Sequence, residues 1–347
     1  MKLYLPLGFL VTLSLVVISS ISFHLFFLQL LWVVLGLSLV LIFHFSDWRS
    51  FLNYRWLITG LYLLSLVFLS LAYFKGPLIN QTKSWIALGP FNFQPVELTK
   101  VALIFVFARY FSRRHLSIAR WKNILTSFLY FALPAWLVAL QPDLGSGLVL
   151  FGIWFSFLLL SGLPFKRIVV ALAIFTLAGV LMWHSVLKSY QKQRIIGVLY
   201  PAENVLSINY SVHQSKIAIG SAGFFGQGYR QGSQTQLGFL TKPENDFILA
   251  ALIEEWGWLV GILAIGAFTY LIFSILKIAS AAAGNFEKFI CLGAAVSFSW
   301  QFFLNIGSSL GFSPVIGVTF PFLSYGGSSL LTSFFLIAII NAIAKKS

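Results

Sequence analysis

The sequence predicts an all-α protein that crosses a membrane many times. Of its 347 residues, 59% are hydrophobic and only 9% are charged, against about a quarter charged in a soluble domain. Too little polar side chain is present to cover a water-facing surface, so lipid must be the solvent for most of the chain. The apolar residues also fall in runs of about 17 to 25, the length that spans a bilayer as helix. Clusters of charge or turn residues separate these runs, as helix connections require.

Ten helices can be laid out, near 4–22, 25–43, 56–74, 97–112, 124–140, 145–162, 167–187, 247–276, 287–306 and 321–343. The first follows Met1-Lys2 with no small-residue cleavage site after it, so it reads as a membrane helix, not a removed signal. The second and third are divided by Asp47, Arg49 and Arg55. The fourth is interrupted by Glu97, Lys100 and Arg109, yet its length and flanking loops require it. Arg120 and Lys122 precede the fifth, the turn Gln141-Pro-Asp143 precedes the sixth, and Lys166-Arg167 precedes the seventh. The eighth opens after Pro243-Glu-Asn245, the ninth after Glu287-Lys288, and the tenth closes before Lys345-Lys346.

Lysine and arginine set the orientation, because they concentrate in short cytoplasmic loops. With the N-terminus inside, the inner segments hold most of the residues just named, together with Arg113, Arg114 and Lys277. The short outer loops at 22–24, 141–144 and 307–320 hold none. Both termini are therefore expected in the cytoplasm. The whole chain, 1–347, reads as one integral-membrane domain with a long extracytoplasmic loop at 188–246. That loop is basic, with Lys188, Lys192, Arg194, Lys216, Arg230 and Lys242, and the outer segment 75–96 adds Lys75 and Lys83. The net charge of +14 suits lipid headgroups and anionic substrates, and nucleic acid is not expected. The long loop should be built and functional. Residues 212–219 predict a short surface helix, and Gly220, Gly223, Gly226 and Gly228 a hinged return. Cys291, alone in an apolar run, is a structural thiol.

Nine acidic residues can be weighed singly. Asp47 and Glu287 stand at inner boundaries beside basic residues, and Glu203 lies in the long loop without clear context. Glu97 and Lys100, at i and i+3, share a helix face and can pair; locking the bundle and facing a substrate are both open. Arg109 is expected to snorkel to the inner interface. Asp143 reads as a turn residue or the N-cap of the sixth helix. Glu254 and Glu255 are expected about 12 to 13 Å along the eighth helix, where one could belong to an ion or proton path. The spacing Gly257-x-x-x-Gly261 suggests close packing. Asp246 closes the Gly-, Ser- and Gln-rich stretch 232–247 at the mouth of the eighth helix. It could cap that helix. It could equally serve as a general base towards a hydroxyl on a polar, lipid-borne ligand. No nucleotide-binding Gly loop, His-Glu-x-x-His or Cys/His cluster is present. A bond-forming reaction would thus need a donor already activated, such as a lipid pyrophosphate.

Lys83-Ser-Trp-Ile-Ala-Leu-Gly-Pro90, Phe93-Gln-Pro-Val-Glu-Leu-Thr-Lys100, Gln141-Pro-Asp-Leu-Gly145, Gln214-Ser-Lys-Ile-Ala-Ile-Gly-Ser221, Gly232-Ser-Gln-Thr-Gln-Leu-Gly-Phe-Leu240, Asp246-Phe-Ile248 and Pro321-Phe-Leu-Ser-Tyr-Gly-Gly-Ser-Ser329 resemble, in order, the SEDS family of bacterial cell-shape, division and sporulation proteins. The 232–238 run resembles its elongation branch. The resemblance implies a ten-helix peptidoglycan glycosyltransferase of the bacterial cytoplasmic membrane. It would use lipid II, with undecaprenyl pyrophosphate as leaving group, and work with a class B penicillin-binding protein and other elongation proteins. Asp246 would be the catalytic base, with Glu97, Lys100, Asp143, Lys216 and Gln234 as substrate-binding residues. No organic cofactor is implied, and a divalent cation, magnesium or manganese, is an open requirement. The chain departs from the family where Pro243-Glu244 has moved two places towards the aspartate and Asn245 replaces a threonine. Lys83-Ser84 also stands where a basic residue directly before Trp-Ile is common. A lipid-precursor flippase and a non-catalytic scaffold for a penicillin-binding protein are the competing functions.

Overall fold

The computed structural model describes residues 3–45, 55–79, 82–89, 91–114, 120–185, 187–201 and 209–345. Lys2, Asp47, Arg49, Glu203 and Lys346 lie outside the described residues. Helices stand at all ten expected places: α1 (Tyr4–Ile21), α2 (Phe23–Phe45), α3 (Arg55–Lys75), α4 (Pro95–Arg114), α5 (Trp121–Leu140), α6 (Leu144–Leu160) and α7 (Phe165–Ser185) come first. Within the long loop are α8 (Ser189–Leu199), α9 (Tyr210–Ser221) and α10 (Ser233–Gln236). The chain closes with α11 (Ile248–Ala281), α12 (Asn285–Leu310) and α13 (Gly327–Ala344). Seven of them, α1, α2, α3, α5, α11, α12 and α13, are long and apolar enough to cross a membrane. The short outer helix expected at 212–219 is α9, whereas α8 and an antiparallel hairpin, β1 (Ile86–Leu88) with β2 (Phe91–Phe93), were not foreseen.

The core explains why α4 tolerates its charges. Its residues from Val101 to Phe105 are at most 3% exposed, and Phe111 stacks on Phe157 of α6, which stacks on Phe289 of α12. A helix so enclosed meets protein, not lipid, so Glu97 and Lys100 can be matched by side chains and not by headgroups.

One structural correction concerns α11. Gly257 has φ of +84°, so the helix is really two. Eight residues of straight helix span about 12 Å, yet a Cβ on Gly261 would lie 2.5 Å from Ile253 Cγ1. The chain therefore folds back at Gly257. The limb before the break starts beside Asn245, whose carbonyl is bonded by Ser324, and Ser324 is in turn bonded by Gln29 of α2. It climbs to Glu255, which meets Ser20 near the end of α1. A strap, 223–228, closes the wound. The N–H groups of Trp258 and Leu259 donate to the carbonyls of Gly223 and Phe224, while those of Gln227 and Gly228 donate to the carbonyls of Glu254 and Glu255. Two backbone groups at each broken helix end are thereby satisfied. Gly257 and Gly226 make the close approach possible: each has positive φ, and a side chain on either would collide with the other's backbone strand.

Glu254 and Glu255 consequently face the loop and the end of α1. The Glu254 carboxylate accepts from the N–H groups of Gln234 and Thr235 at 2.7 and 3.0 Å and from the Thr235 hydroxyl at 2.6 Å. It holds the first turn of α10, where the helix dipole favours an anion. Glu255 accepts from Ser20 and from the Gln236 amide at 2.9 Å. Together they bolt the 232–236 segment to the bundle.

Candidate active site

The site is assembled from loops at the end of the bundle where α1 ends and α2 begins. A cavity of about 310 Å3 is walled by the hairpin region (Ser84, Trp85, Asn92, Gln94), by Asp143, by Lys242, Asn245 and Asp246, and by 315–329. Serines of the Pro321–Ser329 segment tie these walls together. Ser324 donates to the Asn245 carbonyl at 2.7 Å, and the hydroxyl of Ser328 accepts from the Gln94 N–H at 3.2 Å. Tyr325 donates its N–H to the Glu244 carbonyl at 2.8 Å, so the displaced Pro243-Glu244 pair is tied to a residue of the wall.

The backbone of Asp246 is fully held. Its N–H donates to the Lys242 carbonyl at 3.2 Å, and its carbonyl accepts from the Asn305 amide at 3.2 Å and the Ser309 hydroxyl at 3.4 Å. Its carboxylate is not: among the described residues no group donates to it. The helix begins two residues later, at Ile248, with Phe247 as N-cap and no side-chain capping bond, which removes the capping role. Burial pushes the Asp246 carboxyl up to about 6. Glu244 adds to that rise, and Lys242 and Arg194 oppose it.

Asp143 lines the same cavity and does cap a helix. It accepts from the Ser146 N–H at 3.0 Å and the Ser146 hydroxyl at 2.7 Å, at the start of α6. Burial raises its pKa, and the Ser146 bonds and the Lys100 ammonium oppose the rise. Glu97 and Lys100 form an ion pair of 2.7 Å, each 5% exposed, and Lys100 also donates to Gln301 at 3.2 Å. They stand behind the Asp143 wall and do not line the cavity. Gln234 is fixed by its N–H to Glu254, and its side-chain oxygen is buried without a partner. Lys216 lines a neighbouring cavity. Arg194 and Asn245 also line the Asp246 cavity; the sequence marked Asn245 only as a departure from the family's threonine. Arg194 was one loop cation among several, and the Asn245 side-chain oxygen is buried without a partner. For a magnesium or manganese ion the cavity offers hard oxygen donors, Asp246 chief among them. Among the described residues no cluster of three or more His, Cys, Asp or Glu is formed, so substrate phosphate or water would complete such a shell.

The sequence model of the FtsW/RodA/SpoVE family of cell cycle proteins matches residues 1–347. The chain belongs to this family. Among its relatives, the peptidoglycan glycosyltransferase MrdB of Escherichia coli K12 is 38% identical over 257 residues, covering 74% of this chain and 69% of MrdB. Stage V sporulation protein E of Bacillus subtilis is 33% identical over 274 residues, 78% of this chain and 74% of the relative. Among solved structures, a chain described under structural coordination of polymerization and crosslinking by a peptidoglycan synthase complex superposes with a TM-score of 0.85. It is 28% identical, and the match covers 99% of this chain and 97% of that one. The rod shape determining protein RodA of Thermus thermophilus gives a TM-score of 0.73 at 27% identity, over 99% and 96% of the two chains. The SEDS fold of a multi-pass membrane protein is thus established for this chain.

Proposed function

We propose that this SEDS protein polymerises glycan strands from lipid II during cell elongation; its relative MrdB is named a peptidoglycan glycosyltransferase. Asp246 is the general base. The acceptor sugar hydroxyl gives its proton to the Asp246 carboxylate, and its oxygen attacks the anomeric carbon of the donor. The bond from that carbon to the phosphate oxygen breaks, and its electron pair leaves with undecaprenyl pyrophosphate. The observation that carries this reading is a carboxylate free of donors, on a backbone held on both sides, facing a polar cavity. A pKa near 6 leaves it mostly ionised at neutral pH and still basic enough to accept a proton. A divalent cation held with Asp246 would supply further charge neutralisation of the phosphates; every step above uses the chain's own groups.

Asp143 lines the cavity with the Glu97–Lys100 pair behind it, and Gln234, on the bolted α10, lies outside the cavity's lining. The lysine and arginine distribution supports ten spans with both termini in the cytoplasm and Asp246 at the extracytoplasmic face. The synthase-complex neighbour supports a class B penicillin-binding protein as partner. The flippase alternative would draw its ion relay from Glu97, Lys100, Glu254 or Glu255; of these, Glu97 and Lys100 are paired with each other and Glu254 holds α10.

The test is reconstitution of the full chain and its partner with fluorescent lipid II, followed by gel separation of glycan products. The parent is expected to make polymer and Asp246→Ala none. Equal polymer from both would overturn the role of Asp246, and translocation without polymer would favour the flippase.

A further inference from the structure

Beside the Asp246 cavity lies a second space of about 330 Å3, and the two share Arg194 and Val315. Their charge differs. The first holds Asp143 and Asp246 beside Arg194 and Lys242. The second holds Arg194, His213 and Lys216, with no carboxylate among its described lining residues. Among the described residues no acceptor takes the Lys216 ammonium, and the Tyr190 hydroxyl in the same wall is buried without a partner. Arg194 spends one N–H on the Val315 carbonyl at 2.9 Å, which leaves its other donors for a ligand.

Room for the ammonium is built in. Gly311, at φ +80°, ends α12, and a Cβ there would lie 2.9 Å from Lys216 Nζ. A cation at a helix C-terminus is also favoured by the dipole, which accounts for Lys216 alone. It does not account for Arg194, His213 and the orphan Tyr190 hydroxyl converging on one space. A third space, lined by Leu148, Trp183, Leu187 and Ile195 with Asp143 at its edge, is mostly apolar; it shares Tyr190, Arg194 and Pro314 with the second space and Thr82, Asp143, Arg194 and Ile316 with the first. A ligand anionic at one end and apolar at the other fits this sequence of walls.

We propose that the cavity lined by Arg194, His213 and Lys216 binds the diphosphate of a prenyl-linked substrate, at a site separate from that of Asp246. The proposal rests on the glycosyl-transfer reading, in which both donor and acceptor lipid II carry a diphosphate. The donor's diphosphate leaves in the reaction, and the acceptor's is a spectator.

The binding probe is farnesyl diphosphate, titrated by calorimetry into the full chain in lipid nanodiscs. The parent is expected to bind it, with farnesol failing to bind and inorganic diphosphate competing. Lys216→Gln and Arg194→Gln should each weaken binding by about tenfold or more, as loss of a charge-assisted bond implies. Lys216→Arg should restore it, and Lys288→Gln should bind as the parent does. In the polymerisation assay, a fall in kcat for Lys216→Gln assigns the site to the donor. A rise in KM at unchanged kcat assigns it to the acceptor. Equal binding by the parent, Lys216→Gln and Arg194→Gln, while the parent makes polymer, would overturn the proposal. So would lowered thermal stability of Lys216→Gln with unchanged binding, which would confine Lys216 to the helix end. A parent that binds farnesyl diphosphate but makes no polymer would instead count against the glycosyl-transfer reading.

Discussion

Asp143 and Asp246 face one cavity and have opposite fates. Both carboxylate oxygens of Asp143 are taken by Ser146, and Lys100 lies close enough to favour its charge. Asp246 is tied down through its peptide groups instead, by Lys242, Asn305 and Ser309, and its carboxylate is left without a donor. A base needs a fixed position and an unspent lone pair, and the second arrangement supplies both. The lesson is that two half-buried carboxylates are told apart by where their hydrogen bonds end.

Replacing each by asparagine should give the largest divergence. Asp246→Asn is expected to lower polymerisation by at least about a thousandfold, within the range for removing a general base. Asp143→Asn keeps a good N-cap and should stay within about tenfold; an equal loss in the gel assay would erase the distinction. The same pair should diverge in stability. The Asp246 carboxyl is raised from 3.8 to about 6, so its charged form is disfavoured by the fold. That cost is absent below the unfolded value, grows between the two values and is complete above about 6. It amounts to at most roughly 3 kcal/mol. Asp246→Asn should therefore raise the unfolding temperature at pH 7.5 and lose that advantage towards pH 4. Asp143→Ala, by contrast, should cost about 1 kcal/mol through loss of the cap.

Glu254 extends the contrast, being a carboxylate whose bonds all serve structure. Glu254→Ala would orphan the donors of Gln234 and Thr235 in a buried place, an effect of about 3 kcal/mol. Thermal unfolding in detergent should show the loss, and limited proteolysis should open the 223–246 segment while the helical bundle persists. A variant as resistant as the parent would remove Glu254 from the support of the site.

Why sequence order showed some of this and hid the rest follows from range. The helices were legible because spanning runs are local and about twenty residues long. The outer helix α9 and the glycine return were legible because helix pattern and turn residues are local too. The motifs pointed to Asp246 by resemblance, although capping and catalysis looked alike along the chain. What separates them is a set of contacts with Asn305 and Ser309, about sixty residues away. The break at Gly257 was read as a packing glycine because a small residue serves both ends. Only the strap 223–228, bonding both helix ends, shows the chain turning back. Glu254 and Glu255 were misplaced in depth for that reason. Arg194 looked like one loop cation of several until three cavities met at it.

The smallest predicted effect probes how the cavity sets the basicity of Asp246. Burial is the dominant cause of its raised pKa; Glu244 adds to it, and Lys242 and Arg194 oppose it. The acid limb of kcat/KM should therefore lie near pH 6, with activity rising to a plateau above it. Removing the Lys242 charge, as in Lys242→Met, should move that limb to higher pH, because an opposing cation is gone. Glu244→Gln should move it lower. Lys242 is exposed, so water and salt screen its charge, and each displacement should be a few tenths of a unit, shrinking as ionic strength rises. Since Asp143 is engaged by Ser146 and is not the group being titrated, Asp143→Asn should leave the limb in place. Displacement of the limb by Asp143→Asn but not by Lys242→Met would transfer the titrating role from Asp246 to Asp143.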